Sequence, residues 1–181
     1  MHPLAALLAI ALAAAPLAAR AQPAVSETQD LKVPPTAALR LEGHATATPL
    51  EIPGARIIFT PELRHLLQLA PAQRPLLFDV LGADNPHLSL PDAVWLAGAG
   101  RGTSFDDELQ GRLARALEAA TQGDRRRPLV FFCASVYCWL SYNTALRAVR
   151  LGYEDVRWYR GGIEAWGASG GALAEPRFVW K

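Results

Sequence analysis

Short apolar runs alternate with longer amphipathic segments from residue 56 onward. The runs are typical of strands buried in a parallel sheet, and they cover 56–59, 76–80, 93–96, 128–132 and 155–159. The intervening segments are typical of helices that pack one face on a core, and they cover 60–69, 105–120 and 139–151. Because the predicted strands and helices alternate, the pattern indicates an α/β sandwich with a mainly parallel sheet. Functional residues in such sheets lie at the carboxyl ends of the strands.

The residues before this pattern differ from it in composition. Residues 22–54 are polar and rich in turn-forming residues, including Pro34-Pro35 and Pro53-Gly54. We interpret this segment as an extended polar and proline-rich arm with little regular structure. A single domain over residues 55–181 is expected to follow it, since the remaining length is enough for one hydrophobic core.

The first 21 residues have the form of a secretory signal peptide. Residues 4–19 are almost entirely alanine and leucine, and Ala19-Arg20-Ala21 has the small-x-small pattern of a signal-peptidase site. The apolar run is shorter than the ~20 residues that a membrane span requires. We therefore expect cleavage after Ala21, export to a bacterial periplasm, and no attachment to the membrane after cleavage.

Composition and charge narrow the possible classes of function. The chain is 51% hydrophobic and 19% charged, as in an ordinary soluble globular protein. One of the 18 Lys and Arg residues, Arg20, lies in the predicted signal peptide, so the mature chain would carry 17 basic and 17 acidic residues. Nucleic-acid binding requires a basic face, and a chain of zero net charge argues against such a partner.

The two cysteines of the chain lie close together, between a predicted strand and a predicted helix. Cys133 closes the apolar run, and Cys138 opens the helix. The backbone amides of such a turn and the N-terminus of the helix favour a negative charge, so a thiolate forms there more readily than in a free cysteine. We interpret both cysteines as candidate catalytic residues. The loop between them supplies candidate pocket residues, namely Ala134, Ser135, Val136 and Tyr137.

Three residues near this turn are further candidates for the site. Trp139 either shields the thiols or packs the first turn of the helix, and Ser141 either donates a hydrogen bond to sulfur or lies on the helix surface. Asp79 ends another predicted strand, where it either orients the cysteine loop or caps the turn. The histidines lie in separate segments without metal-ligand spacing, so we predict no metal site.

The stretch from Leu76 to Trp166 resembles a rhodanese-like domain. The matching features are the strand that ends in Asp79, the Leu90-Pro91-Asp92-Ala93 turn, Cys133 at the end of a strand, Leu151-Gly152-Tyr153, and Gly161-Gly162-Ile163-Glu164-Ala165-Trp166. The resemblance implies a three-layer sandwich with a mainly parallel sheet of about five strands. It also implies that Cys133 carries a persulfide during sulfur transfer, within a six-residue loop.

A closer resemblance is to an exported rhodanese-like family that is named for a CXXCW motif and is associated with PQQ-dependent catabolism of alcohols. It rests on Cys138-Trp139-Leu140-Ser141-Tyr142-Asn143 and on Ala93-Val94-Trp95-Leu96. The resemblance implies an indirect link to PQQ, with no cofactor bound by this chain. The implied partner is a periplasmic PQQ-dependent dehydrogenase, a cytochrome or an alcohol-related transport protein.

Two features of the loop depart from the family pattern. Four residues separate the cysteines, so the spacing is C-x4-C-W rather than C-x2-C-W. Ala134 and Cys138 stand where rhodaneses usually carry basic residues, so the loop itself has no cation to hold a thiosulfate or sulfite anion. Backbone amides remain as the groups of the loop that would stabilise a thiolate or a persulfide.

Three functions are consistent with these residues. The first is thiol redox chemistry: the two cysteines cycle between dithiol and disulfide, with Cys138 as the expected attacking thiolate and the reverse assignment also open. The second is sulfur transfer, in which Cys133 accepts sulfane sulfur and Cys138 resolves the persulfide into a disulfide. The third is a non-catalytic binding module. The first two require a tight loop, since bridged cysteines have Cα atoms about 4.4–6.8 Å apart.

Overall fold

The computed structural model describes residues 25–82, 86–178 and 180. The predicted signal peptide, residues 1–21, lies outside the described residues, as does the start of the predicted arm. Within the described ranges, no helix is both long enough and apolar enough to cross a membrane.

Parallel strands form one sheet that is covered by helices on both faces. The strands are β1 (Arg56–Ile58), β2 (Leu76–Asp79), β3 (Val94–Trp95), β4 (Leu129–Phe132), β5 (Val156–Tyr159) and β6 (Arg177–Phe178). The helices are α1 (Thr60–Gln68), α2 (Glu108–Thr121), α3 (Trp139–Arg150) and α4 (Gly162–Ala168). The strand order across the sheet is β1-β5-β4-β2-β3-β6, and all paired neighbours are parallel. The predicted α/β sandwich is confirmed, with six strands rather than about five because β6 adds beside β3.

The central position of β4 explains why its sequence is a continuous apolar run. All four residues of β4 are buried, and the strand lies between β2 and β5. One core cluster packs Phe131 and its neighbours against α2 and α3, while a second packs Phe132 against α1 and α4. Burial of each such side chain contributes about 1.5–3 kcal/mol. Both faces of β4 are therefore apolar, in contrast to the alternation of a half-exposed strand.

The carboxyl ends of the three central strands meet at one edge of the sheet. Asp79 ends β2 and pairs in register with Phe132, the last residue of β4. In the next pair of strands, Phe131 of β4 is in register with Trp158 of β5. Continuing that register by two residues places Cys133 beside Arg160. This edge is where α/β proteins form their sites, and it is the edge at which the cysteine loop begins.

A buried ion pair connects α2 to α3. The side chain of Arg147 in α3 is completely buried, and its guanidinium donates to both carboxylate oxygens of Asp107 at 3.0 and 2.9 Å. Asp107 is also the N-cap of α2 and accepts the amide of Gln110 at 2.9 Å. Burial acts to raise the pKa of Asp107, but the hydrogen bonds from Arg147 and from three backbone amides outweigh it and hold this pKa well below its ordinary value.

Residues 25–54, which we call the strap, contain neither helix nor strand. The strap nevertheless packs closely on α3. The Tyr142 hydroxyl donates to the carbonyl of Thr36 at 2.8 Å and accepts its amide at 2.9 Å. The side chain of Asn143 likewise accepts the amide of Arg40 and donates to its carbonyl, at 2.9 and 2.8 Å. The strap is therefore fixed to the domain, although it has no regular structure of its own.

Candidate functional site

A disulfide joins Cys133 and Cys138 at the carboxyl end of β4. Their Cα atoms are 6.3 Å apart, within the range typical of disulfides. Cys133 directly follows the last residue of β4, and Cys138 is the N-cap of α3. The strand-to-helix turn thus brings the two sulfur atoms together and closes the loop of four residues between them.

The loop is held from one side by the start of α4. The amide of Ile163 donates to the carbonyl of Cys133 at 3.0 Å, and the amide of Glu164 donates to the carbonyl of Ala134 at 2.9 Å. Gly162 has a φ of +61°, and a Cβ added there would overlap the carbonyl of Cys133. The Gly161-Gly162 turn therefore allows α4 to hold the cysteine loop, since only glycine allows this close approach of two backbone segments.

We expect the Gly162→Ala substitution to destabilise the protein by about 3 kcal/mol. Left-handed backbone costs alanine about 1 kcal/mol, and the overlap with Cys133 adds roughly 1–3 kcal/mol. Urea denaturation measures the loss. Gly170→Ala is the matched control, because Gly170 also has a positive φ, +76°, but an added Cβ there meets no atom within 4 Å. Equal losses of unfolding free energy in the two variants would show that the contact between Gly162 and the cysteine loop does not contribute to stability.

The strap holds the loop from the other side. The amide and the hydroxyl of Thr48 both donate to the carbonyl of Val136, at 3.1 and 2.6 Å. At the start of α3, the amide of Trp139 donates to the carbonyl of His44 at 2.9 Å. These bonds engage the carbonyls of the loop and the first amide of the helix. Among the described residues, no acceptor binds the amides of Ala134, Ser135 and Val136.

A cavity of about 470 Å³ opens beside the disulfide. Its described lining comes from the strap, the turns after β2 and β3, and the cysteine loop: His44, Ala45, Leu81, Gly82, His87, Arg101, Ala134, Ser135, Tyr137, Cys138 and Leu140. Cys138 is in the lining and is 8% exposed, whereas Cys133 is absent from it and is 1% exposed. Of the two bridged residues, Cys138 is therefore the one that a small molecule in this cavity contacts.

The structure separates the candidate residues that line this cavity from those that do not. Ala134, Ser135, Tyr137 and Cys138 line the cavity, and Tyr137 is 40% exposed at its edge. Val136 instead faces a second cavity, of about 490 Å³, on the side of α1 and α4. The remaining candidates near the loop, Trp139 and Ser141, are buried and do not line the cavity beside the disulfide.

Trp139 and Ser141 support the turn from within. The indole of Trp139 donates to the carbonyl of Ala47 in the strap at 2.9 Å, so this ring packs the start of α3 under the strap. The Ser141 hydroxyl donates to the carbonyl of Cys138 at 3.2 Å and accepts from the indole of Trp158 at 3.0 Å. It also lies 3.5 Å from the Sγ of Cys133. Ser141 therefore contacts the sulfur of Cys133 without donating to it, because its hydroxyl proton goes to the carbonyl of Cys138, and it is buried rather than on the helix surface.

Asp79 caps its own strand end. Its carboxylate is fully buried and accepts the amide of Leu81 at 2.9 Å, the Ser89 hydroxyl at 2.6 Å and the Nε2–H of His87 at 2.6 Å. None of these donors belongs to the cysteine loop, so of its two predicted roles Asp79 has that of the turn cap. It also fixes His87, whose ring lines the cavity.

Sequence reasoning missed His44, His87 and Arg101 as cavity residues. They come from the strap, from the segment that begins at residue 86 and from the glycine-rich loop after β3, and no spacing in the sequence relates them to the cysteines. It also missed Arg160, which is 1% exposed at the carboxyl end of β5. The only signal for Arg160 was its place directly before Gly161-Gly162, at the end of a predicted strand.

A family model matches most of the domain. The model of the rhodanese-like domain matches residues 59–169, which include the whole cysteine loop. No curated protein matches the chain.

A solved structure of a sulfurtransferase shares this fold. The crystal structure of a thiosulfate sulfurtransferase from Pseudomonas aeruginosa aligns with a TM-score of 0.51 and 18% identity, over 70% of this chain. The chain covers only 22% of that protein's length. A human single-domain sulfurtransferase is 26% identical over 63% of this chain and 96% of its own, with a TM-score of 0.45. The polysulfide-sulfur transferase homodimer of Wolinella succinogenes is 17% identical over 67% of this chain and 79% of its own, with a TM-score of 0.47.

Proposed function

The chain belongs to the rhodanese-like domain family, and on that basis we propose that it performs thiol–disulfide exchange at the Cys133–Cys138 pair. The observation that carries the proposal is the unequal exposure of the two cysteines to the cavity. Cys138 lines a cavity of about 470 Å³, whereas Cys133 is 1% exposed and lies behind it. A cavity of this volume fits a small-molecule thiol.

The unequal exposure sets the order of the steps. A small thiolate enters the cavity and attacks the Sγ of Cys138, forming a mixed disulfide there while Cys133 leaves as a thiolate. A second thiolate then attacks the sulfur of the bound small molecule, which leaves as a small disulfide, and Cys138 becomes a thiolate. Two electrons pass from the two small thiols to the protein disulfide. The reverse sequence reduces a small disulfide to two small thiols and oxidises the protein dithiol back to the disulfide.

Sulfur transfer is the second candidate, and the family and the loop amides favour it. In the reduced protein, the Cys133 thiolate would take sulfane sulfur from a persulfide or thiosulfate donor, which leaves as a thiolate or as sulfite. The amides of Ala134, Ser135 and Val136, which no described acceptor binds, would stabilise the persulfide anion. The Cys138 thiol would then attack the Sγ of Cys133, form the observed disulfide and release hydrosulfide.

We further propose that the protein acts after export, in the periplasm, and supports a PQQ-dependent alcohol-oxidising system without binding PQQ itself. Export is supported by the pattern of residues 1–21, and the PQQ link by the resemblance around Cys138-Trp139. Fusing residues 1–21 to a reporter that is active only outside the cytoplasm tests export.

Mass spectrometry of the intact purified protein tests the thiol chemistry. We expect the protein to gain the mass of two hydrogen atoms on treatment with a small thiol such as 2-mercaptoethanol, and then to accept two alkyl groups. After incubation of the reduced protein with thiosulfate, a species heavier by one sulfur atom would support sulfur transfer. A disulfide that resists small thiols in the folded protein, together with no sulfur adduct, would contradict both candidates and leave a binding module.

A further inference from the structure

A buried arginine lies beside the cysteine loop, and its hydrogen-bond acceptors among the described residues include no carboxylate. Arg160 follows β5 and is 1% exposed. Its guanidinium donates to neutral oxygens: the carbonyls of Glu27 and Gln29, and the carbonyl and hydroxyl of Thr48. Since an arginine stays protonated in proteins, these bonds leave a full positive charge inside the fold. Asp30 and Glu27 attract this charge electrostatically, but no described carboxylate bonds to it directly. A buried charge without a directly bonded counterion is costly.

The register of the sheet places the backbone of Arg160 next to that of Cys133. The register of β4 and β5 pairs Phe131 with Trp158, and its continuation sets Cys133 beside Arg160. Adjacent strands lie about 4.8 Å apart. The bond of 3.0 Å from the amide of Ile163 to the carbonyl of Cys133 shows that the chains stay close beyond the strand ends. Phe131, Cys133 and Trp158 share one core cluster, and Arg160 follows β5 directly, two residues after Trp158.

A chain of hydrogen bonds also connects Arg160 to the loop. The guanidinium donates to the Thr48 hydroxyl at 3.1 Å, and that hydroxyl donates to the carbonyl of Val136 at 2.6 Å. The strap thus supplies the neutral oxygens that solvate the cation, and it links the cation to the residue midway between the cysteines.

We propose that Arg160 is the cation that stabilises the Cys133 thiolate released when the disulfide opens. This inference rests on the proposed thiol chemistry and assigns a positioning residue to it. Rhodanese-like loops usually contain their own basic residues, whereas this loop has none, and Arg160 supplies the missing charge from the neighbouring strand. Its effect is greatest on Cys133 as the leaving group, since that sulfur is buried and has little access to water.

Other charged groups also face this part of the loop. Asp79 lies on the β2 side of Cys133, with its carboxylate bound by three donors. Glu27 of the strap caps the start of α1 through Thr60, at 2.7 and 3.0 Å, and Glu164 of α4 binds the loop only through its amide. Tyr137 lies within the loop. The acidic groups oppose a thiolate at Cys133, so the arginine must outweigh them.

Titration of Cys133 in the full-length Cys138→Ser protein tests the inference. In this background the thiolate absorbance reports on Cys133 alone. We expect its pKa to lie below the value of about 8.5 for a free cysteine. Arg160→Gln should raise this pKa by about one unit, as expected for the loss of a nearby opposite charge. Arg160→Lys keeps the charge and should leave the pKa within a few tenths of a unit of its starting value.

Arg157→Gln is the matched control. Arg157 lies on the same strand and is 9% exposed, but it is paired with Asp155 at 2.7 Å and sits three residues further from the loop. This substitution should leave the pKa of Cys133 unchanged. Circular dichroism identifies variants that do not fold. If Arg160→Gln does not fold, the inference is still tested by the pKa of Cys133 in the parent Cys138→Ser protein and in Arg160→Lys.

Two outcomes would overturn the inference: a Cys133 pKa at or above that of a free cysteine in the parent protein, or equal rises in the lysine and glutamine variants. The latter result would assign Arg160 a purely structural role in holding the strap. The proposed function is tested separately, because it requires only that the wild-type disulfide exchanges with small thiols. A disulfide that does not exchange would contradict the proposed function while leaving the titration interpretable.

Discussion

The Cys133→Ser and Cys138→Ser variants are expected to react with small disulfides at rates that differ by roughly 100-fold. In Cys133→Ser, the Cys138 thiol lines the cavity and should form a mixed disulfide with oxidised glutathione. That adduct should persist, because no second thiol of the protein remains to displace it. In Cys138→Ser, the remaining thiol is 1% exposed. This thiol reacts only when the structure opens locally. An opening free energy of about 2.7 kcal/mol gives the 100-fold difference in reaction rate.

Mass spectrometry over time measures both rates, and alkylation with iodoacetamide gives an independent comparison. Denaturation in urea provides the control, since both variants should then react at similar rates. A faster reaction of Cys133 in the folded protein would reverse the assignment of attacking and leaving sulfur. It would favour sulfur transfer through a Cys133 persulfide over exchange through Cys138.

Replacing Asp107 with alanine is expected to reduce the free energy of unfolding by about 4 kcal/mol. The substitution leaves the guanidinium of Arg147 buried without its counterion, which costs about 3–5 kcal/mol, and it also removes the N-cap of α2. Asp124→Ala is the control, because Asp124 and Arg126 form an exposed pair at 4.0 Å that should contribute less than about 1 kcal/mol. Urea denaturation at neutral pH measures the loss of unfolding free energy in both variants. A loss below about 1 kcal/mol in Asp107→Ala would show that the ion pair is not coupled to folding.

The same carboxylate gives stability a defined dependence on pH. The pKa of Asp107 is lowered in the folded protein, so its contribution is fully present above the unfolded value of about 3.9. It is lost as the pH falls from there through the lower folded value. The difference in unfolding free energy between wild type and Asp107→Ala should therefore be constant near neutral pH and shrink below about pH 4. A difference that persists undiminished in acid would contradict the lowered pKa.

The elements of the sheet and the cysteine turn could be predicted because their signals are local. The run Leu129–Phe132 reads as a buried strand, and its place at the centre of the sheet explains why both of its faces are apolar. Cys138 opens α3, as its position at the end of the loop indicated. The sixth strand, Arg177–Phe178, was missed because it is only two residues long and both are exposed. So short a segment carries no hydrophobic period.

The contacts of the strap could not be predicted, because they are made largely through backbone atoms. Arg160 binds the carbonyls of Glu27, Gln29 and Thr48, and every residue type offers a carbonyl. The residue types of the strap therefore do not indicate these contacts. Its sequence shows only that it is polar and rich in proline. Its role in holding the loop and in forming one wall of the cavity follows from the folded structure alone.

By itself, the sequence determined that this is a parallel α/β domain with two cysteines on one strand-to-helix turn, because hydrophobic periodicity and turn residues act over a few positions. Only the tertiary structure decided which cysteine lines a cavity, that His44, His87 and Arg101 share this cavity with Cys138, and that the buried Arg160 follows the strand next to Cys133. These features depend on residues that are distant in the chain. They meet only because parallel strands align their carboxyl ends and the strap closes over them.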